Sequence, residues 1–331
     1  MRLPDALPRL RRREPPARPA PPVVPPGAVR RLHLDVARRL DGVLHGDHLG
    51  HLPGPGTEPD EARLYVPGDD VRRIDWSVTA RAGDVHVRTP VSERELETTI
   101  VVDLTPSMAF GTARCEKRDV AVAVTAALAH LVRGPGDRVG AVVLSDRVRA
   151  VPPRQGRDAG LALLQVLQTT RPDDAADAVR LADGLASVAA QSRRRGLVAV
   201  VSDLLDGDPP GAEPAWVTPL RRLGTRHDVV VVEVIDPREL ELPSVGVLHL
   251  TDPETGRRLE VQTGDRRLRE RYARAAAEQR AAHAAAVRKA GATHVVVRTD
   301  RDWLPDLARA LAVRRRLRAA GRPAAAGRGR T

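Results

Sequence analysis

The strongest constraint in this sequence is the way its β-branched runs end. Ile100-Val101-Val102 is a short apolar run of the kind that forms a strand buried on both faces. It stops abruptly at Asp103-Leu104-Thr105-Pro106-Ser107. Pro106 cannot continue a ladder, so a carboxylate and two hydroxyls are left in a loop at the C-terminal end of a strand. Similar strand-like runs recur at 137–144, 197–201, 229–235 and 293–297, with a further short strand expected at 148–151. Helical spacing marks 116–132, 158–167, 175–190, 216–223, 268–289 and 303–311. Strands alternating with helices predict an α/β fold built on a doubly wound, mostly parallel sheet. In such sheets ligands bind outside the carboxyl ends of the strands, so the loop after Asp103 is the first candidate site.

The chemistry of that loop suits a hard cation. Asp103, Thr105 and Ser107 alternate, so a curled loop aims three oxygens at one point, and magnesium takes such ligands while keeping several waters. The bland alternative is a strand-to-helix turn whose hydroxyls cap backbone groups. D-L-T-P-S-M resembles the metal-ion-dependent adhesion site of von Willebrand factor A domains, whose pattern is D-x-S-x-S, with Thr105 in place of a serine. The resemblance implies a Rossmann-type, von Willebrand factor A-like fold. It also implies that Asp203, after the 197–201 run, contacts the metal directly or through water. A threonine ligand is expected in a G-G-T-x-L-like loop, but this chain has Arg171-Pro172-Asp173-Asp174-Ala175 there, with Thr169 and Thr170 just before it. The site is therefore degenerate, with Asp173 or Asp174 as possible substitutes and Mg2+ binding weak or vestigial.

A second stretch is more specific. Tyr65, Pro67, Gly68, Asp69, Asp70, Arg72, Ile74, Asp75, Trp76, Thr79, Ala80 and Arg81, followed by Glu93-Arg94-Glu95, resemble the signature of the family catalogued as domain of unknown function 58. Its pattern reads roughly R-x-Y-x-P-G-D-D-x-R-x-I-D-W-x-x-T-A-R. Asp75 and Trp76 are expected to lock this segment against the sheet, with Arg72 or Arg81 pairing the carboxylates. The segment is either structural or partner-binding. The family resemblance implies a MoxR-type AAA+ ATPase as partner, an unidentified client protein, and a role in assembly or maturation of other proteins. It also accommodates a hairpin, read here at 245–262 around Asp252-Pro253-Glu254-Thr255-Gly256. The expected organisation is a Pro/Arg-rich tail at 1–27, the signature segment at 28–97, the sheet domain at 98–313 and a basic tail from 314.

Composition removes several function classes. One cysteine, Cys115, excludes an internal disulfide and any cysteine-based zinc cluster. Residues 1–31 carry eight arginines against two acids, and 314–331 seven arginines and no acid, so the ends supply more than the whole net charge of +11. The body is close to neutral. No nucleic-acid motif or stacking aromatic accompanies the basic ends, so a solvated tail is favoured over nucleic-acid binding. His45, His48 and His51 are separated by glycine and proline, which favours a loop over a metal-binding helix. Arg11-Arg12-Arg13 leads into proline rather than an apolar core, unlike a signal peptide. No run of about 18 apolar residues suggests a membrane span, and a cytoplasmic location is expected.

An aspartyl-phosphate-type phosphohydrolase is the enzymatic alternative. Asp103 follows a buried strand, and Thr263-Gly264-Asp265 echoes a downstream motif, but no lysine stands near Asp103 in the sequence. A non-catalytic module is expected. The tails lack periodic apolar surface to offset the entropy of ordering. Limited proteolysis is expected to trim 1–27 and 314–331 first and leave a folded body. Protection of the first 27 residues would contradict this reading.

Overall fold

The computed structural model describes residues 61–89, 97–131, 136–170, 179–192, 194–207, 212–251 and 258–311, with Val36 and Arg39. Both tails, the three loop histidines, Asp173 and Asp174 lie outside the described residues. Val36 is buried in the main core, and Arg39 pairs with Asp302 at 2.7 Å.

The signature segment folds locally. β1 (Glu61–Leu64) pairs antiparallel with β2 (His86–Thr89). Between them lie a 3-10 turn at Val71–Arg73 and a short helix, α1 (Trp76–Ala82). Asp75 starts α1 by accepting from the backbone N–H of Ser77 and Val78 at 3.0 and 3.1 Å, as a helix N-cap does. Gly83 ends it at φ 82, a left-handed conformation that glycine adopts without steric cost.

The six-stranded main sheet begins with β3 (Glu97–Asp103), β4 (Arg138–Leu144) and β5 (Val148–Gln155). It continues with β6 (Leu197–Ser202) and β7 (Asp228–Ile235). A small antiparallel pair, β8 (Val247–Thr251) and β9 (Arg258–Gln262), follows before the last main strand, β10 (Thr293–Arg298). The main order is β10-β7-β6-β3-β4-β5, parallel throughout except for the antiparallel edge strand β5. The chain runs outward from β3 to β5 and then returns to β6 on the other side of β3. Connections leave β3 and β6 in opposite directions, which opens a crevice at their carboxyl ends.

The helices are α2 (Lys117–Leu131), α3 (Arg157–Thr169), α4 (Leu181–Gln191), α5 (Val217–Arg226), α6 (Arg266–Lys289) and α7 (304–311). Strand alternation distributes them over two faces. Ile100, Val102, Ala199, Val201, Val230 and Val232 pack with α2, α3 and α7. Val101, Val198, Val200, Val229 and Val231 pack with α4, α5 and α6. Of the helix expected at 175–190, residues 175–178 lie outside the described residues; α4 begins at Leu181, whose N–H donates to the Asp206 carboxylate at 2.7 Å. The loop after β6 thus sets that helix start. Among the described residues no helix is long and apolar enough to cross a membrane.

Gly196 precedes β6 where a Cβ would collide with the backbone carbonyl oxygen of Glu97. Gly196→Ala is expected to cost about 1–3 kcal/mol by forcing β3 and β6 apart. Urea unfolding measures it, and an unchanged midpoint would show that the strand ends yield freely.

Candidate metal site

The crevice between β3 and β6 gathers the predicted oxygens. Asp103 is buried at the end of β3. One carboxylate oxygen accepts from the Thr105 backbone N–H at 3.0 Å and from the Thr105 hydroxyl at 2.6 Å. The other accepts from the Ser202 hydroxyl at 2.6 Å. The Thr105 and Ser107 hydroxyls stand 3.2 Å apart. Pro106–Met108 forms a single 3-10 turn, and the fully buried Met108 anchors it in the core. Short-range hydrogen bonding therefore curls this loop as its sequence suggests.

Asp203 lies at the end of neighbouring β6 and is fully buried. Its Oδ1 accepts from Leu205 N–H at 3.0 Å, and its Oδ2 accepts from the ammonium of Lys117 at 2.7 Å. Leu204, between them, has φ 61, the only positive value for a non-glycine among the described residues. That conformation is costly for a side chain with a Cβ. It is held by the Ser202 hydroxyl, which accepts from Leu204 N–H, and by the Trp216 indole N–H, which donates to the Leu204 carbonyl.

Lys117 corrects the expectation that no lysine stands near. It is fourteen residues beyond Asp103 in sequence, yet α2 delivers it into the same crevice. Only 1% exposed, its ammonium also donates to Glu239 Oε1 at 2.5 Å and lies 5.8 Å from the centre of the Phe110 ring. Its position was the available signal. A cation at a helix N-terminus opposes the macrodipole, so a lysine there calls for acidic partners. Those partners, Asp203 and Glu239, are 36 residues apart and became visible only in the fold.

The pairing continues inward. Arg280 of α6 donates to the Asp203 carbonyl at 3.0 Å and to Glu233 Oε1 at 2.6 Å, and approaches Glu239 Oε2 at 3.8 Å. Glu233 also meets His283 Nδ1 at 3.3 Å and His294 Nε2 at 2.9 Å. Nearby, Asp236 accepts from the Thr112 N–H and hydroxyl and from the Thr299 hydroxyl.

Electrostatics separates these carboxyls. Burial, reinforced by the charge of Asp203, pushes the Asp103 carboxyl up to about 6 despite hydrogen bonds from Ser202 and Thr105. Burial opposes ionisation of Glu233 too, but the histidines and Arg280 outweigh it and hold that carboxyl at about 2. Burial also works against the Lys117 ammonium, yet Asp203 and Glu239 raise its pKa above the ordinary lysine value. Among the described residues, Lys117 and Arg280 pair with Asp203, Glu239 and Glu233, while Asp103 is bonded by hydroxyl and amide donors. No ion pair among the described residues reaches Asp103.

The donor set fits a hard cation at Asp103. Asp103, Thr105 and Ser107 offer a carboxylate and two hydroxyls in one buried loop, the oxygen chemistry that magnesium takes. No cluster of three or more His, Cys, Asp or Glu among the described residues is arranged to hold a metal. An ion here would depend on hydroxyls as much as on carboxylates. Thr169 and Thr170 end α3, and the Thr170 hydroxyl donates to Val166 O at 2.7 Å.

The signature residues form a separate local structure. Tyr65 N–H donates to Val85 O at 2.8 Å. Asp69 accepts from Val66 N–H, and Asp70 caps the 3-10 turn through Arg72 N–H. Arg81 Nε donates to the Ser77 carbonyl at 3.0 Å, not to a carboxylate. Trp76 does not lock the segment against the sheet. It opens α1 with 70% of its surface exposed, while Asp75 and Val87 are the buried members.

A family model described as "Protein of unknown function DUF58" matches residues 61–282. "Uncharacterized protein Rv1480" of Mycobacterium tuberculosis is 47% identical over 295 residues, covering 89% of this chain and 91% of that protein. "Uncharacterized protein MAV169" of Mycobacterium avium is 39% identical over 172 residues, covering 52% of this chain and 98% of that protein. Among solved structures, the conserved hypothetical protein BatB from Bacteroides thetaiotaomicron is 15% identical with a TM-score of 0.42, covering 67% of this chain and 99% of that one. The SpRpn10 VWA domain is 12% identical with a TM-score of 0.34, covering 65% and 94%. The strand order identifies the architecture more firmly than these distant superpositions do.

Two carboxyls respond oppositely to pH. The folded-state pKa of Asp103 lies above its ordinary value of 3.8, so its contribution is fully present below pH 3.8 and is lost as pH rises through about 6. Asp103→Asn is expected to gain roughly 1–3 kcal/mol at pH 7.5 without divalent ions and nothing near pH 3.5. Glu233 is held below its ordinary 4.5, so its contribution is present above pH 4.5 and is lost as pH falls through about 2. Glu233→Gln is expected to lose about 3 kcal/mol at neutral pH. Urea unfolding across pH checks both, and pH-independent differences would contradict them.

Proposed function

This chain belongs to the DUF58 family, and on that footing we propose that it is a non-catalytic interaction module. It works with a MoxR-type AAA+ ATPase in assembly or maturation of a client protein, through a degenerate metal-ion-dependent adhesion site. The carrying observation is the convergence of Asp103, Thr105 and Ser107 in one buried loop at the topological switch point. Asp103, Thr105 and Ser107 would hold Mg2+, with Asp203 behind them. A bound Mg2+ would supply positive charge and open coordination positions for water or a partner carboxylate. The protein's own contribution is orientation. Thr105 and Ser202 fix both carboxylate oxygens of Asp103, and Lys117 holds Asp203 Oδ2 at the neighbouring strand end.

The same geometry supports a binding role over an aspartyl-phosphate enzyme. Asp103 is 3% exposed, and both its carboxylate oxygens are engaged by Thr105 and Ser202, which suits a nucleophile poorly. Thr263 closes the β8–β9 pair through Gly246 O, and Asp265 caps α6, so that echo of a catalytic motif has a structural use.

A second reading, a metal-free scaffold binding through residues 65–81, is favoured by one observation. Trp76 is exposed together with Val66 at 56% and Val71 at 61%. Pull-down against the nucleotide-trapped cognate ATPase separates the two. Binding abolished by chelator and by Asp103→Ala is expected. Binding that ignores both but fails with Trp76→Ala would transfer the contact to the signature segment.

A further inference from the structure

Lys117 is an unusual occupant for a cation site, because it is itself a cation. Its ammonium is almost fully buried and satisfied by two carboxylates from different parts of the chain. Asp203 Oδ2, the oxygen of that carboxylate not bonded to backbone, is the one it takes. The opposite half of the crevice, Asp103 with Thr105 and Ser107, contains only carboxylate and hydroxyl oxygens.

We propose that the Lys117 ammonium is a tethered counter-ion that occupies the Asp203–Glu239 half of the crevice and limits how tightly a divalent cation binds the Asp103 half. The inference rests on the metal reading of the site but concerns a different residue. A divalent ion that engaged both Asp103 and Asp203 would have to displace Nζ from Oδ2. While the ammonium stays, the ion has one carboxylate and two hydroxyls, and it meets a like charge behind Asp203. Hard divalent ions gain affinity with each added carboxylate ligand, so the lysine lowers affinity twice, by occupying a ligand and by repulsion.

The lysine also explains how the folded chain tolerates these acids without a metal. A buried carboxylate whose side chain loses the cation bonded to it is strongly destabilising. Lys117 supplies that partner permanently, from the first turn of α2, where the helix dipole alone would disfavour it. The protein keeps its fold in the absence of divalent ions, and metal occupancy is left free to depend on a partner that completes the coordination.

Lys117→Met removes the charge and keeps most of the side-chain volume. The full chain and this variant are titrated with Mg2+ by calorimetry, and their folding is followed by circular dichroism with and without Mg2+. The expected result is at least tenfold tighter Mg2+ binding in Lys117→Met than in the parent. If the variant is unfolded without metal, refolding in millimolar Mg2+ is the equivalent outcome. A folded variant with unchanged or weaker affinity overturns the proposal, as does a variant that stays unfolded at every Mg2+ concentration. The metal reading fails separately. If the parent chain binds no Mg2+ but Lys117→Met does, the native site is not a metal site and the counter-ion role stands. If the parent binds and Asp103→Ala abolishes binding while Lys117→Met changes nothing, the metal reading stands and the counter-ion role falls.

Discussion

A lysine ammonium with 1% exposure has to be matched by charge inside the protein, and that requirement ties this end of the molecule together. Removing an ammonium from water costs several kcal/mol unless opposite charge replaces the lost hydration. Lys117 meets it with Asp203 and Glu239. Arg280 then joins Asp203 and Glu239 to Glu233. One chain of charges thereby links α2, the ends of β6 and β7, the 3-10 turn at Pro237–Glu239 and α6. Most members have more than one partner, so deleting one weakens the pairing of its neighbours without removing it.

The network is placed where the sheet topology opens. β3 and β6 are neighbours whose connections leave in opposite directions, so their carboxyl ends form the switch point of the sheet. The strands that carry it are apolar on both faces and packed on both sides, giving a rigid frame. Against that frame the loops are held in unusual shapes. Leu204 is kept at positive φ by Ser202 and Trp216, and the Asp103 loop is curled by its own threonine. Strain kept by surrounding hydrogen bonds is characteristic of positions selected for geometry over stability.

The signature segment follows a different logic. Most of its distinctive residues have a local backbone reason. Asp69 and Asp70 turn the chain, Asp75 starts a helix, and Gly83 ends it. Their carboxylates accept backbone N–H groups, which gives this charge-rich stretch a role in shaping the local backbone. Trp76 is the exception. It stands 70% exposed at a helix start, and exposed apolar residues at 64, 66 and 71 lie close to it in sequence.

The α/β class and the mostly parallel sheet were legible because runs such as Val229–Ile235 and stretches such as Arg266–Lys289 carry their period in the residues themselves. The Asp103–Ser107 loop was legible for the same local reason, since its hydrogen bonds span two residues. What surrounds that loop was not. Lys117, Glu239, Arg280 and Glu233 come from four separate segments, and no short-range pattern links a helix-start lysine to a carboxylate 122 residues away. Trp76 was misplaced because a tryptophan beside an aspartate reads as buried, whereas the Asp75 cap sets the helix start and so points the next residue outward. The sequence alone determined the elements and the oxygen-bearing loop, because those depend on neighbours along the chain. Only the tertiary structure decided which charges face that loop, because burial and pairing depend on what the strand order brings together.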